Sequence, residues 1–288
     1  HEGVPVKNGL KTAVLLAAMA GIIMAIGSLF GRTGVTIALV ISLVMIGFSY
    51  WFSDKLAIQS ARAVEVTPDQ LPEYYAVMQE LTQIDGLPMP RLYVSPEPQP
   101  NAFATGRGPN HAAVCVTEGL LRTLSWYEIR GVLAHELSHV RNRDILIGSV
   151  AAAIATAISY AANMAMWSGL MGGSRDQEDQ RNPLAAIAVM VLAPVAAGLI
   201  QMAISRSREY EADRSAARLI NDGEPLAQAL EKLNGSAHRV VSHVPPAQAS
   251  NYIVNPLAGR RVSLAKMFSS HPSAEERIRR LRSGEWQG

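Results

Sequence analysis

Four stretches of this 288-residue chain contain no Asp, Glu, Lys or Arg: Thr12 to Gly31, Thr33 to Ser53, Ile145 to Ser174 and Asn182 to Ser205. They run to 20, 21, 30 and 24 residues, and a helix needs about 20 apolar residues to cross a bilayer. Charged residues make up 17% of the sequence, against roughly 25% in soluble domains. The 193 residues outside the four stretches hold all 50 charges, or 26%. The sequence therefore alternates soluble segments with membrane-length blocks, which excludes a disordered, a collagenous or a purely soluble chain. Cys115 is the single cysteine, so no intrachain disulfide forms. A net charge of +2 with scattered basic residues gives no nucleic-acid footprint.

Basic residues near span ends set orientation. Lys7 and Lys11, Lys55 and Arg62, Arg141 and Arg143, and Arg206, Arg208, Arg214 and Arg218 all fall on one side if the N-terminus is cytoplasmic. The predicted organisation is a transmembrane hairpin over 1–53, a cytoplasmic part over 54–144, a second hairpin over 145–205 and a second cytoplasmic part over 206–288. The first block is too long for a signal-peptide core and is followed at once by the second, so it stays in the membrane.

In the soluble parts, Thr67-Pro68 predicts a helix start and Gly86 its end. Arg91–Val94, Asn101–Thr105 and Ala112–Thr117 read as strands of a small sheet. Ser125 with Glu128 three positions on forms a capping box, opening a helix through Leu133, Leu137 and Val140. Helices follow over Ser207–Asn221, Pro225–Leu233 and from Ser273. The terminal run Arg277, Arg279, Arg280 and Arg282 reads as a solvated face suited to the helix dipole.

The helix begun by Ser125 carries His135-Glu136-Leu137-Ser138-His139. Four-residue spacing places both imidazoles on one helical face, able to share a metal, with Glu136 beside them as a general base. A catalytic zinc needs a third protein ligand and an open position. Glu209 and Asp213, also four apart, can supply a ligand and an acceptor for the second N–H of a ligating histidine; Glu211 is the rival ligand. Two apolar blocks separate the half-sites, so both return to the same membrane face, and Arg141, Arg143 and Asp144 place the metal outside the hydrocarbon. With one Zn2+ per chain, the chemistry is peptide-bond hydrolysis. His271 is the first choice of oxyanion donor, ahead of Tyr210, His111, His238 and His243. The strand Ala112, Ala113, Val114, Cys115 and Val116 is placed to pair with an extended substrate.

HELSH, NAFATG with HAAVCVTEGLL before it, SREYEAD after a hydrophobic pair and SSHPSAEERIRRL near the end together resemble the HtpX family of bacterial membrane zinc metalloproteases, relatives of the CAAX prenyl-protein proteases and mitochondrial Oma-type proteases. The resemblance implies a mainly α integral membrane protein with four transmembrane helices and an α+β, zincin-like (gluzincin) cytoplasmic catalytic domain around a small sheet. It implies zinc ligands His135, His139 and Glu209, the base Glu136 and a supporting Asp213. It further implies cleavage of misfolded or damaged membrane proteins at the cytoplasmic face of the inner membrane, with lipid and protein substrates as partners. The contrasting expectation is a non-catalytic, zinc-stabilised membrane scaffold or chaperone partner.

Overall fold

A computed structural model of the chain describes residues 31–145, 206–237 and 273–287, with Ala17. The first, third and fourth uncharged blocks, apart from Ala17, Gly31 and Ile145, lie outside the described residues, as do His238, His243 and His271. Among the described residues no helix is long and apolar enough to cross a membrane.

Seven helices are described: α1 (Gly31–Ser60), α2 (Pro72–Asp85), α3 (Glu118–Thr123), α4 (Trp126–Arg141), α5 (Arg206–Ile220), α6 (Glu224–Ala237) and α7 (Ala274–Arg282). Four strands, β1 (Val64–Glu65), β2 (Arg91–Ser95), β3 (Ala102–Gly106) and β4 (Ala112–Thr117), form one mixed sheet in the order β1-β2-β4-β3. β4 pairs parallel with β2 and antiparallel with β3.

The two-residue period of a strand divides the sheet between two cores. Val114 and Val116 join Leu92 and the helical core of Tyr74, Met78, Leu133, Leu137, Leu226 and Leu230. Ala113 and Cys115 face the other way with Tyr93 and Phe103, against Ala57 and Ala61 at the end of α1. All six residues of β4 are buried. This corrects the expectation for Ala112 to Val116: both edges of β4 are already paired, so no extended peptide can add to it. Among the described strands the outer ones are β1 and β3.

Two helix boundaries show how local signals compete. α2 starts at Pro72, with Leu71 as its cap residue, while Thr67 is held in a turn by Gln70. Pro68 and Pro72 both offer a fixed φ suited to a helix start, and the second one opens the helix. The far end matches expectation, with Gly86 left-handed at φ 67° and its N–H on the carbonyl of Thr82. α4 opens on the full capping box of Ser125 and Glu128. It packs against both α5 and α6, and at Gly131 a Cβ would collide with the backbone of Leu226 on α6. That close approach admits only glycine, and it fixes the depth at which α4 carries its histidines.

Candidate active site

α4 buries His135 and Glu136 almost completely, at 1% and 4% exposure. Its histidine face meets the first turn of α5, which brings Glu209. The Nε2 atoms of His135 and His139 stand 3.1 Å apart. Glu209 places Oε2 3.8 Å from His135 Nε2 and Oε1 3.6 Å from His139 Nε2. Glu211, the rival ligand, instead pairs with Arg214 at 3.3 Å on a half-exposed surface.

Each imidazole is engaged from behind by a carboxylate. His135 Nδ1–H donates to Asp213 Oδ1 at 2.9 Å, and His139 Nδ1–H donates to Asp144 Oδ2 at 3.2 Å. With Nδ1 of each ring turned to a carboxylate, it is Nε2 that each ring presents to a metal. Two imidazole Nε2 atoms and a carboxylate oxygen thus converge on one point, a donor set suited to a cation. All the ligand atoms lie within 4.8 Å of one another. Tetrahedral zinc with bonds near 2.05 Å would set its ligands about 3.3 Å apart, within a few tenths of an ångström of these separations. The residues fit a divalent metal with nitrogen and oxygen ligands.

Behind Asp213 stands Arg277, 1% exposed. Its Nε and Nη2 donate to the two carboxylate oxygens at 2.7 and 2.6 Å, and Nη1 approaches Glu209 at 3.7 Å. The expectation of a uniformly solvated basic run therefore fails at Arg277, while Arg279 and Arg282 lie on the exposed side. One signal was available: Arg277 and Leu281 are four apart and form the buried stripe of α7, so a charge sat on the apolar face of an amphipathic helix. Asp144 and Arg208 were missed for a different reason, since their roles depend on ends of helices far apart in sequence.

Electrostatics follows from this burial. Desolvation raises the pKa of Glu136, only partly countered by the two histidines, so its carboxyl holds a proton more readily than a free glutamate. A backbone hydrogen bond from Ala104 fixes that carboxylate against β3. Burial alone would lower His139, but Asp144, Glu209 and Glu136 outweigh it and raise it to about 9. Burial would likewise raise Asp213, yet Arg277 and His135 hold it below the usual aspartate value. Tyr210 lies under the guanidinium of Arg280, 4.0 Å from its ring centre, and His111 is exposed in a short turn before β4.

Two histidines one helical turn apart, a carboxylate from a second helix and a buried acid beside them define a metallopeptidase centre. Residues 68–285 match the family described as Peptidase family M48. The chain belongs to that family and is a metalloprotease. Its relatives place it among the HtpX proteases. A protease HtpX homolog of Paraburkholderia phytofirmans is 51% identical over 283 residues, covering 95% of this chain and 96% of the relative. A second, from Pelotomaculum thermopropionicum, is 48% identical and covers 95% and 98%. Among solved structures, S. mikatae Ste24p shares the fold with a TM-score of 0.50 at 18% identity, over 98% of this chain and 67% of that one.

Proposed function

We propose that the chain is a membrane-anchored zinc endopeptidase that cuts cytoplasmic segments of misfolded or damaged membrane proteins. The observation that carries the reading is the convergence of His135, His139 and Glu209 on one point with Glu136 buried beside them. In this reading the four uncharged blocks are spans, and the two cytoplasmic parts meet at the metal just outside the bilayer. Zinc, when bound, polarises a carbonyl and lowers the pKa of water to about 7. The carboxylate of Glu136 takes the proton of the attacking water and hands it to the leaving amine, a shuttle suited by its raised pKa.

The outer side of β3, away from β4, is the proposed substrate register. Thr117 N–H donates to the Asn101 carbonyl at 2.9 Å, so Asn101 faces β4. Ala102 and Ala104 alternate with it; the N–H of Ala102 donates to Asn101 Oδ1 at 3.0 Å and that of Ala104 to Glu136, so a peptide there would be held through their carbonyls. An extended peptide laid along that side would pass Glu136, which Ala104 already holds.

A structural zinc site closes its fourth position with a protein ligand. Among the described residues the cluster offers three, which favours catalysis over the scaffold reading. The test is cleavage of casein and of a membrane protein by the full chain in detergent micelles, with and without zinc, beside Glu136→Gln. Retained zinc with cleavage reduced by roughly 100-fold or more supports the reading. Full activity in Glu136→Gln would remove Glu136 as the base, and zinc binding without any cleavage by the wild type would leave the scaffold.

A further inference from the structure

α4 ends in a way that its role as a carrier of two histidines does not require. Asn142 closes the helix with its N–H on the carbonyl of Ser138, and Arg143 then adopts φ 58° with its N–H on Val140. A left-handed arginine is an uncommon conformation with a backbone cost. Its effect is to fold the chain back, so that Asp144 lies against the helix it has just left. Asp144 is buried, at 8% exposure, and with Ile145 it is helical again after the turn. Its carboxylate faces a histidine on one side and an arginine on the other. Oδ2 takes His139 Nδ1–H at 3.2 Å, and Oδ1 stands 3.9 Å from Nη1 of Arg208. Arg208 is itself 8% exposed and directly precedes Glu209.

The positions of these residues along the chain give the contact its meaning. The 61 residues from Ile145 to Ser205 separate the two halves of the site. Asp144 is the last residue before that insertion and Arg208 the third after it. We propose that Asp144 is a positioning residue for His139, and that its pairing with Arg208 clasps the two ends of the insertion onto the metal site. The inference rests on the zinc reading above. One oxygen of Asp144 fixes the tautomer that leaves His139 Nε2 free to bind. The other holds the first turn of α5, where Glu209 sits. A single carboxylate thus sets one ligand on each side of the insertion.

The test uses the full chain in micelles, with zinc affinity measured by competition with a chelating dye and the imidazole tautomers read by 15N NMR of the zinc-loaded protein. Asp144→Asn is expected to weaken zinc binding by roughly 10- to 100-fold, the range for removing a carboxylate behind a ligating histidine. It should also mix the His139 tautomers, with Asp144→Glu restoring part of both. Arg208→Gln should weaken zinc by a smaller factor, and the double variant should bind no worse than Asp144→Asn alone, because Arg208 acts through Asp144. A residue that only finishes the helix would leave the tautomer unchanged. Wild-type zinc affinity in Asp144→Asn overturns the inference, and strict additivity in the double variant overturns the clasp. If Asp144→Asn does not fold, Asp144→Glu and Arg208→Gln read the same two quantities. A wild-type chain that takes up no zinc would sink the zinc reading and this inference together, whereas equal uptake by wild type and Asp144→Asn sinks the inference alone.

Discussion

The two histidines of the site are supported by arms of the same design and different build. Behind His135, Asp213 receives two short hydrogen bonds from an arginine that is 1% exposed. Behind His139, Asp144 has a longer bond to the ring and an arginine at 3.9 Å. The first arm ties three helices, α4, α5 and α7, into one buried unit. The second spans only the neck of the insertion. Both arms are buried, and geometry makes the difference: the bidentate Arg277–Asp213 pair is close and matched, so the His135 arm belongs to the fold as much as to the metal. The looser arm bears on the metal without holding the core together.

That contrast can be broken by substitution. Arg277→Met leaves Asp213 buried and uncompensated and should destabilise the protein by about 3–5 kcal/mol, read as a fall in thermal midpoint whether or not zinc is present. Arg208→Gln should hardly move that midpoint. Equal losses would erase the distinction between a structural arm and a positioning arm. Next in size is zinc affinity: Asp213→Asn and Asp144→Asn should each weaken it by roughly 10- to 100-fold, but Asp213→Asn, which also deprives Arg277 of its bidentate partner, should lower the stability of the metal-free chain more than Asp144→Asn does.

The arms also differ in their response to pH. In the metal-free protein, His139 is raised to about 9, so its contribution is complete below about 6.5, the unfolded value, and is lost as pH rises through about 9. Asp213 is depressed, so its contribution is present above about 3.9 and is lost as pH falls through its lower folded value. Stability of the metal-free chain should therefore decline on both sides, with Asp144→Asn removing most of the alkaline decline and leaving the acid one. An alkaline limb unchanged in that variant would detach His139 from Asp144. The smallest effect should come from Glu211→Ala, which loses a half-exposed pair with Arg214. Zinc affinity there should stay within about twofold, since such pairs contribute little. A larger loss than in Glu209→Ala would reverse the assignment of the third ligand.

The sequence made one arm far more legible than the other. Asp213 could be read from its four-residue spacing to Glu209, because a helix turns spacing into a shared face. The preference for Glu209 over Glu211 follows from the same periodicity, and the geometry agrees. The capping box at Ser125 was also local and is present in full. Arg277 was hidden because it lies in a run of arginines, and composition could not tell the one facing inward from its exposed neighbours. Asp144 read only as a charge that keeps the site out of hydrocarbon; its contact with His139 depends on a left-handed residue, for which arginine gives no signal. The interior place of β4 was missed because strand order is decided by pairings across the fold. A fully apolar strand such as Ala112–Val116 was better evidence for the middle of a sheet than for its rim.

Arg277 also sets an order in time. It lies 64 residues beyond Asp213 and 142 beyond His135, so a chain emerging from the ribosome displays both metal-binding histidines, the glutamate and Asp213 before the arginine that neutralises and locks them has been made. Translation adds roughly 5–20 residues per second, so Asp213 precedes Arg277 by several seconds. With Arg277 in α7, the buried partner of Asp213 is the last part of the site to be synthesised.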